Sequence, residues 1–75
     1  MDFEAAIIPY IPDLSAYCRH LSGSDWDGDD LAQETLVRTY AHWLKQRSVP
    51  NAKAFLLRTA RNIWIDEHRK YRSRV

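Results

Sequence analysis

The chain has 75 residues, of which 45% are hydrophobic and 28% are charged, and its formal net charge is +1. This length allows one small domain, and the composition excludes a wholly disordered chain. The single cysteine, Cys18, cannot form an internal disulfide, which argues against a disulfide-stabilised secreted domain; we expect Cys18 to be a small buried apolar residue. The chain shows neither a membrane-spanning apolar run nor a basic signal peptide, so we expect a cytoplasmic protein.

The charges are divided along the chain. Up to Glu34 there are eight acidic residues and one basic residue, Arg19, whereas ten basic and two acidic residues follow. This asymmetry predicts nucleic acid or another anionic partner for the basic half.

The pattern of apolar residues predicts an all-α fold of three to four helices, because there is no alternating strand pattern and only two glycines and three prolines interrupt the chain. The first helical segment covers roughly residues 3–21. Pro9 and Pro12 should kink it or separate a short N-terminal turn. The Ser22-Gly23-Ser24 segment ends it.

The second predicted helix runs from about residue 27 to 45, with Ser24, Asp25 or Asp27 as the N-cap. A helical wheel gives it an apolar face and an acidic stripe. The apolar face consists of Ala32, Leu36, Val37, Tyr40, Trp43 and Leu44. The stripe contains Asp27, Asp30 and Glu34, with Arg38 beside them.

The third predicted helix begins after Pro50, with Asn51 as a plausible N-cap, and continues to about residue 72. Its apolar side contains Leu56, Leu57, Ala60, Ile63, Trp64 and Tyr71. The roughly opposite side contains Arg58, Arg61, Asn62, Arg69 and Arg72. Arginines attract phosphates irrespective of sequence, whereas an amide such as that of Asn62 can read a base edge. A solvated basic face without a partner is the alternative interpretation.

The loop between the second and third helices carries Lys45 and Arg47, which could hold a nucleic-acid backbone. Trp43, Phe55 and Trp64 could stack on unpaired bases, although core packing is the stronger expectation for each. The three histidines lie in different segments without the spacing of a zinc site. There is no phosphate-binding glycine loop and no nucleophile motif, so we expect neither an enzyme nor a cofactor or metal.

Two motifs are more specific than these patterns. Residues 30–40 read D-L-A-Q-E-T-L-V-R-T-Y, and residues 54–66 read A-F-L-L-R-T-A-R-N-I-W-I-D. Together they resemble region 2 of bacterial sigma-70 factors, particularly the extracytoplasmic-function (ECF) group. The resemblance implies a single helical domain over residues 1–75 that binds the clamp helices of the RNA polymerase β′ subunit. It also implies recognition and melting of the −10 promoter element.

The resemblance further implies roles for individual residues. The expected polymerase contacts are Asp30, Leu31, Gln33 and Glu34. Asn62 would read the non-template strand, and the expected DNA contacts as a whole are Lys45, Arg47, Arg58, Arg61, Asn62 and Arg69. Part of the loop over residues 45–53 would form the pocket for a base flipped out of the duplex.

The chain departs from the family pattern at two points. Gln46 stands where some members have an aromatic residue in the loop. Only Phe55 and Leu56 occupy the place of the aromatic cluster that melts DNA in housekeeping factors. We expect no helix-turn-helix domain for the −35 element in these 75 residues, which would be either a fragment of a longer factor or a stand-alone half. An anti-sigma factor is a further candidate partner, and a helical protein-interaction module is the alternative function.

Overall fold

A computed structural model describes residues 2–73, with the side chains of residues 2–68. The described elements are helices α1 (Phe3–Ile7), α2 (Ile11–Ser22), α3 (Asp25–Gln46) and α4 (Ala52–Ser73), with a 3₁₀ turn at Ile8–Tyr10. These residues contain no strand, and the prediction of an all-α fold is confirmed. Helices α2, α3 and α4 pack against one another around the core.

The N-terminal segment breaks where the prolines predicted it would. Pro9 lies at the start of the 3₁₀ turn and Pro12 at the start of α2. The first amides of a helix have no intrahelical acceptor, so a residue without an N–H is tolerated there. Helix α2 ends at Gly23, which has a left-handed φ of 77° and donates its N–H to the Arg19 carbonyl at 2.8 Å.

Helix α3 begins at Asp25, two residues earlier than predicted, because Ser24 is its N-cap. The Ser24 hydroxyl oxygen accepts a hydrogen bond from the Asp27 N–H at 3.0 Å. Arg19 of α2 lies beside this turn, with side-chain nitrogens 3.8 Å from Asp25 and 3.1 Å from Asp29. The basic residue of the acidic half therefore links the end of α2 to the start of α3.

The predicted apolar face of α3 is correct for three of its six residues and wrong for the other three. The helix instead buries a stripe of mostly small residues: Gly28, Leu31, Ala32, Thr35 and Thr39. Val37, Tyr40 and Leu44 are 68%, 48% and 49% exposed, and the half-covered Tyr40 ring packs edge-on against Phe3 of α1 with ring centroids 5.0 Å apart. Of the predicted face, Ala32 is buried and Leu36 and Trp43 are partly buried.

Two features allow small and polar residues to occupy this core position. The Thr35 and Thr39 hydroxyls donate to the carbonyls of Leu31 and Thr35 at 2.8 and 2.7 Å, so their burial leaves no unpaired hydroxyl. At Gly28 an added Cβ would lie 2.7 Å from the Arg19 Cα and 2.9 Å from its backbone nitrogen. Helices α2 and α3 thus approach more closely than larger side chains would permit.

The rest of the core follows the predicted pattern more closely. Leu14 and Cys18 of α2 are buried, as are Leu56, Ala60 and Ile63 of α4. Burial raises the pKa of the Cys18 thiol to about 11, so the thiol stays protonated near neutral pH and packs as an apolar group. The prediction of a buried apolar Cys18 is confirmed.

We expect Gly28→Ala to destabilise the protein by about 1–3 kcal/mol, because the new methyl group would push against the Arg19 backbone. The direction of the stability change is informative, because at an unobstructed helix position alanine would stabilise the protein by about 1 kcal/mol relative to glycine. Urea unfolding followed by circular dichroism measures the change. Gln33→Ala, an exposed substitution on the same helix, is the control and should change stability by less than about 0.5 kcal/mol. A more stable Gly28→Ala variant would contradict the close approach.

Candidate functional site

The solvent-facing side of α3 combines acidic, amide and apolar residues. We define the outer face of α3 by six exposed residues at helical spacing: Trp26, Asp30, Gln33, Val37, Tyr40 and Leu44. Among the described residues, four of the five exposed large hydrophobic side chains lie on this face. Because exposed apolar residues concentrated on one face mark an interaction surface, this face is a candidate docking site.

The predicted polymerase contacts divide between this face and the core. Asp30 and Gln33 are exposed, and with Trp26 and Asp29 they line a shallow cleft of about 240 Å³. Glu34 is partly exposed at the edge of the face, where its carboxylate accepts a hydrogen bond from Arg38 at 3.2 Å. Leu31 is only 5% exposed, and its side chain belongs to the core. The expectation of a surface contact at Leu31 is therefore corrected, because that position faces α2 and α4 rather than solvent.

Two arginines and one asparagine in the described part of α4 lie opposite its core residues. We define the outer face of α4 by Arg58, Arg61 and Asn62, which are all exposed. Arg69 lies two helical turns after Asn62 in α4. Its side chain is outside the part of the chain whose side chains the structure describes. Lys53, near the start of α4, instead lies 3.7 Å from the Asp13 carboxylate of α2.

The α3–α4 connection turns sharply between two left-handed residues, Arg47 and Asn51, with φ angles of 56° and 52°. The Arg47 N–H donates to the Trp43 carbonyl at 2.7 Å and closes α3, while the Asn51 carbonyl accepts from the Phe55 N–H at 3.0 Å and opens α4. Asn51 thus holds the predicted N-cap position, but its backbone is left-handed rather than extended as in a usual N-cap. Lys45 and Arg47 are exposed beside this turn.

A pocket of about 430 Å³ lies between the end of α3 and the start of α4. This loop pocket is lined by six residues: His42, Gln46, Ser48, Pro50, Phe55 and Arg58. The His42 and Phe55 rings are in contact, with centroids 4.7 Å apart and planes tilted by 43°. The pocket therefore combines an aromatic wall with an imidazole, an amide, a hydroxyl and a guanidinium.

Sequence reasoning considered His42 only as a metal ligand and missed its place in this pocket. The available signal was that His42 and Gln46 lie one helical turn apart at the end of the helix, facing the loop. Their proximity to Phe55 depends on the sharp turn, which local patterns do not predict. Within the described residues, no cluster of three metal-ligating side chains occurs.

The other two candidate stacking residues lie elsewhere and are partly buried. Trp43 packs against Phe3, with ring centroids 6.1 Å apart. Trp64 packs edge-on against His68 at 4.3 Å. Of the three aromatic candidates, only Phe55 lines the loop pocket.

The residues that form the outer faces of α3 and α4 belong to a sequence region that matches a known family. The family model for sigma-70 region 2 matches residues 7–74. The chain belongs to this sigma-70 family. The match includes both motifs and extends over α2, α3 and α4.

The curated relatives that the chain resembles are sigma factors named as members of the ECF group. Over 69 residues the chain is 36% identical to the ECF RNA polymerase sigma factor EcfG of Rhodopseudomonas palustris (strain TIE-1), covering 92% of this chain and 38% of the relative. Over 61 residues it is 36% identical to the ECF RNA polymerase sigma factor SigG of Mycobacterium tuberculosis (strain CDC 1551 / Oshkosh), covering 81% of this chain and 16% of the relative. The chain thus spans less than half of these relatives. No solved structure gives a significant match.

None of the helices in residues 2–73 is both long and apolar enough to cross a membrane.

The turn beside the loop pocket generates a stability prediction. We expect Arg47→Gly to be more stable than Arg47→Ala by about 1 kcal/mol, because glycine adopts a left-handed φ without steric cost. Both variants lose the same positive charge, so their difference isolates the backbone. Thermal unfolding of the two proteins measures it, and equal stabilities would contradict a left-handed residue 47.

Proposed function

We propose that this chain is the part of an ECF sigma factor that docks on the β′ clamp helices of RNA polymerase and recognises and helps to melt the −10 promoter element. One observation carries the proposal: the polar residues of the family motifs are exposed on two separate helix faces, while their apolar neighbours form the core. Residues needed only for folding would be expected in the core. The exposed polar motif residues are instead available to partners on two helices: Asp30 and Gln33 on α3, and Arg61 and Asn62 on α4.

The outer face of α3 is the proposed polymerase surface. Asp30, with Glu34 at its edge, supplies negative charge, and Val37, Tyr40 and Leu44 supply apolar area further along the helix. A helical partner with both basic and apolar side chains complements this combination. The exposed Glu34–Arg38 ion pair is no obstacle, because such a pair contributes at most about 1 kcal/mol and can be exchanged for a partner's cation.

The outer face of α4 and the loop pocket form the proposed DNA surface. Arg58 and Arg61 would contact phosphates, with Lys45 and Arg47 beside the pocket and Arg69 further along α4. Asn62 would read a base of the non-template strand, because its amide presents both a donor and an acceptor. The loop pocket would hold a base flipped out of the duplex.

Strand opening by wedging has little support in this chain. Of the two residues at the melting positions, Leu56 is fully buried and unavailable to DNA, which leaves Phe55. We therefore propose that captured bases keep the strands apart, because each base held in a pocket offsets part of the cost of unstacking it. In this proposal RNA polymerase carries out the chemical reaction, and the domain needs no cofactor. The domain would act in the cytoplasm. An anti-sigma factor would compete with polymerase and DNA for the same two faces.

The polymerase surface is tested by Gln33→Ala combined with Glu34→Lys. We expect at least about tenfold weaker capture of a β′ clamp-helix fragment, because the variant removes an amide and reverses a charge on the docking face. Biolayer interferometry measures the affinity, and circular dichroism checks the fold. Glu4→Lys, an exposed charge reversal on α1, is the control and should bind like the wild type. Unchanged capture by the double variant would remove this face from the proposal.

The DNA surface is tested by comparing Asn62→Ala with Arg61→Ala. We expect Asn62→Ala to relax base preference at one position, whereas Arg61→Ala should weaken all sequences alike and reduce the salt dependence of binding. Fluorescence anisotropy with single-stranded −10-like oligonucleotides at two salt concentrations measures both effects. Lys53→Ala is the control, since its ammonium group lies beside Asp13. Equal losses across all sequences for both variants would show that Asn62 is not a reader.

A further inference from the structure

We propose that a cleft between the start of α3 and the later turns of α4 binds an arginine side chain presented by a protein partner. We define this acid–aromatic cleft by its four lining residues: Asp27, Trp64, Glu67 and His68. The cleft shares no residue with the outer face of α3, the outer face of α4 or the loop pocket. It is therefore a site independent of the polymerase and DNA contacts proposed above.

Two helices form the acid–aromatic cleft. Asp27 lies in the first turn of α3, whereas Trp64, Glu67 and His68 lie on one face of α4, since residues three and four apart are neighbours on a helix. The cleft has a volume of about 470 Å³, which is ample for a guanidinium group and part of its alkyl chain. A ligand held here would contact both helices at once.

Trp64 supplies the aromatic surface of the cleft. Its ring contacts that of His68 one turn later, with centroids 4.3 Å apart and planes at 78°. The partly buried Trp64 side chain also packs against the hydrophobic core, so both contacts restrict its orientation. Because tryptophan is the side chain whose ring face attracts cations most strongly, a fixed indole favours a cationic ligand.

The carboxylates of Asp27 and Glu67 give the cleft negative charge. Both residues are exposed, and within residues 2–68 neither carboxylate forms an ion pair. No lysine or arginine from the described side chains lines the cleft. An anionic DNA strand is therefore unfavourable here, whereas a basic side chain of a protein complements the cleft.

The chemistry of the lining residues favours a guanidinium over other cations. Among the described residues no three metal-ligating side chains are placed to hold a metal ion, and a metal ion would leave the indole unused. A planar guanidinium can stack on the indole while its N–H groups reach carboxylates on two helices. The ammonium group of lysine is compact and strongly hydrated, so it gains less from the ring.

A second cleft with a tryptophan and carboxylates lies beside Trp26, but it suits an additional cation less well. One of its two acidic residues, Asp29, already lies 3.1 Å from a side-chain nitrogen of Arg19. Its tryptophan is 85% exposed, and no other ring from the described side chains contacts it. The Trp26 cleft thus provides an internal reference for the acid–aromatic cleft.

The test is an NMR titration of the isotope-labelled 75-residue chain with the peptide acetyl-Gly-Arg-Gly-amide. Binding is followed at the Trp64 indole N–H and at the backbone amides of the four lining residues. One comparison peptide carries citrulline, which has nearly the shape of arginine without its charge, and another carries lysine. We expect the arginine peptide to bind at the cleft about threefold or more tightly than either comparison peptide.

Variants of the carboxylates test the charge. Asp27→Asn combined with Glu67→Gln should lower the affinity for the arginine peptide to that for the citrulline peptide, because it removes both charges and keeps the side-chain shapes. The matched control is Glu4→Gln combined with Asp66→Asn, which removes two charges at exposed positions outside the cleft and should keep the preference for arginine. Circular dichroism checks the fold of each variant.

A variant of the ring tests the stacking. Trp64→Leu should remove the preference for arginine over lysine, because leucine offers no ring face to a guanidinium. Trp64 is partly buried, so the carboxylate variants decide the outcome if this substitution prevents folding.

Three results would overturn the inference. The first is equal binding of the arginine and citrulline peptides at the cleft. The second is an equal loss of affinity in the matched control, which would indicate a general charge effect. The third is a response to the peptide at Trp26 without one at Trp64. None of these results would affect the proposed polymerase and DNA contacts, because those contacts use other residues.

Discussion

The close contact between α2 and α3 at Gly28 determines which side of α3 faces solvent. The glycine lies against the Arg19 backbone, and no side chain fits between the two helices at this point. The buried side of α3 continues from Gly28 through Ala32 and the two threonines. Because the small residues occupy the inner side, the larger apolar residues of the same helix are left on the outside.

This arrangement leaves a small domain with a thin core and a large exposed apolar area. A chain of this size buries a limited fraction of its surface, and here Val37 is 68% exposed while Tyr40 and Leu44 are only about half covered. Their side chains are instead available to a partner, which would gain hydrophobic stabilisation that the isolated domain forgoes. The distribution of apolar residues in α3 thus leaves exposed the apolar area that the proposed docking surface would use.

Local rules predicted the features of the fold that depend on adjacent residues. Pro9 and Pro12 indicated the break between the first helices because proline lacks an N–H, and Ser24 was among the candidate caps because its hydroxyl reaches the first turn. Among the described side chains the core of α4 was also predictable, since Leu56, Ala60 and Ile63 follow the helical period and the exposed Arg58 and Arg61 lie on the opposite side.

The inner side of α3 was not predictable from hydropathy. A wheel ranks Val37 and Leu44 above Thr35 and Thr39, yet the threonines are buried because their hydroxyls bond to carbonyls one turn earlier. The contact between His42 and Phe55 also escaped prediction, because it depends on two left-handed residues with side chains in the connecting turn. In both cases the deciding interaction forms in the folded chain and is not represented on a hydropathy scale.

The exposure of Trp26 means that its fluorescence can report on the outer face of α3. Trp26 is 85% exposed at the start of the outer face of α3, whereas Trp43 and Trp64 are partly buried and packed against other rings. Its indole therefore emits from water beside the carboxylates of Asp29 and Asp30. Iodide should approach this ring less readily than neutral acrylamide, because the carboxylates repel an anion. A protein that covers this face would shift the emission to shorter wavelength without any added label.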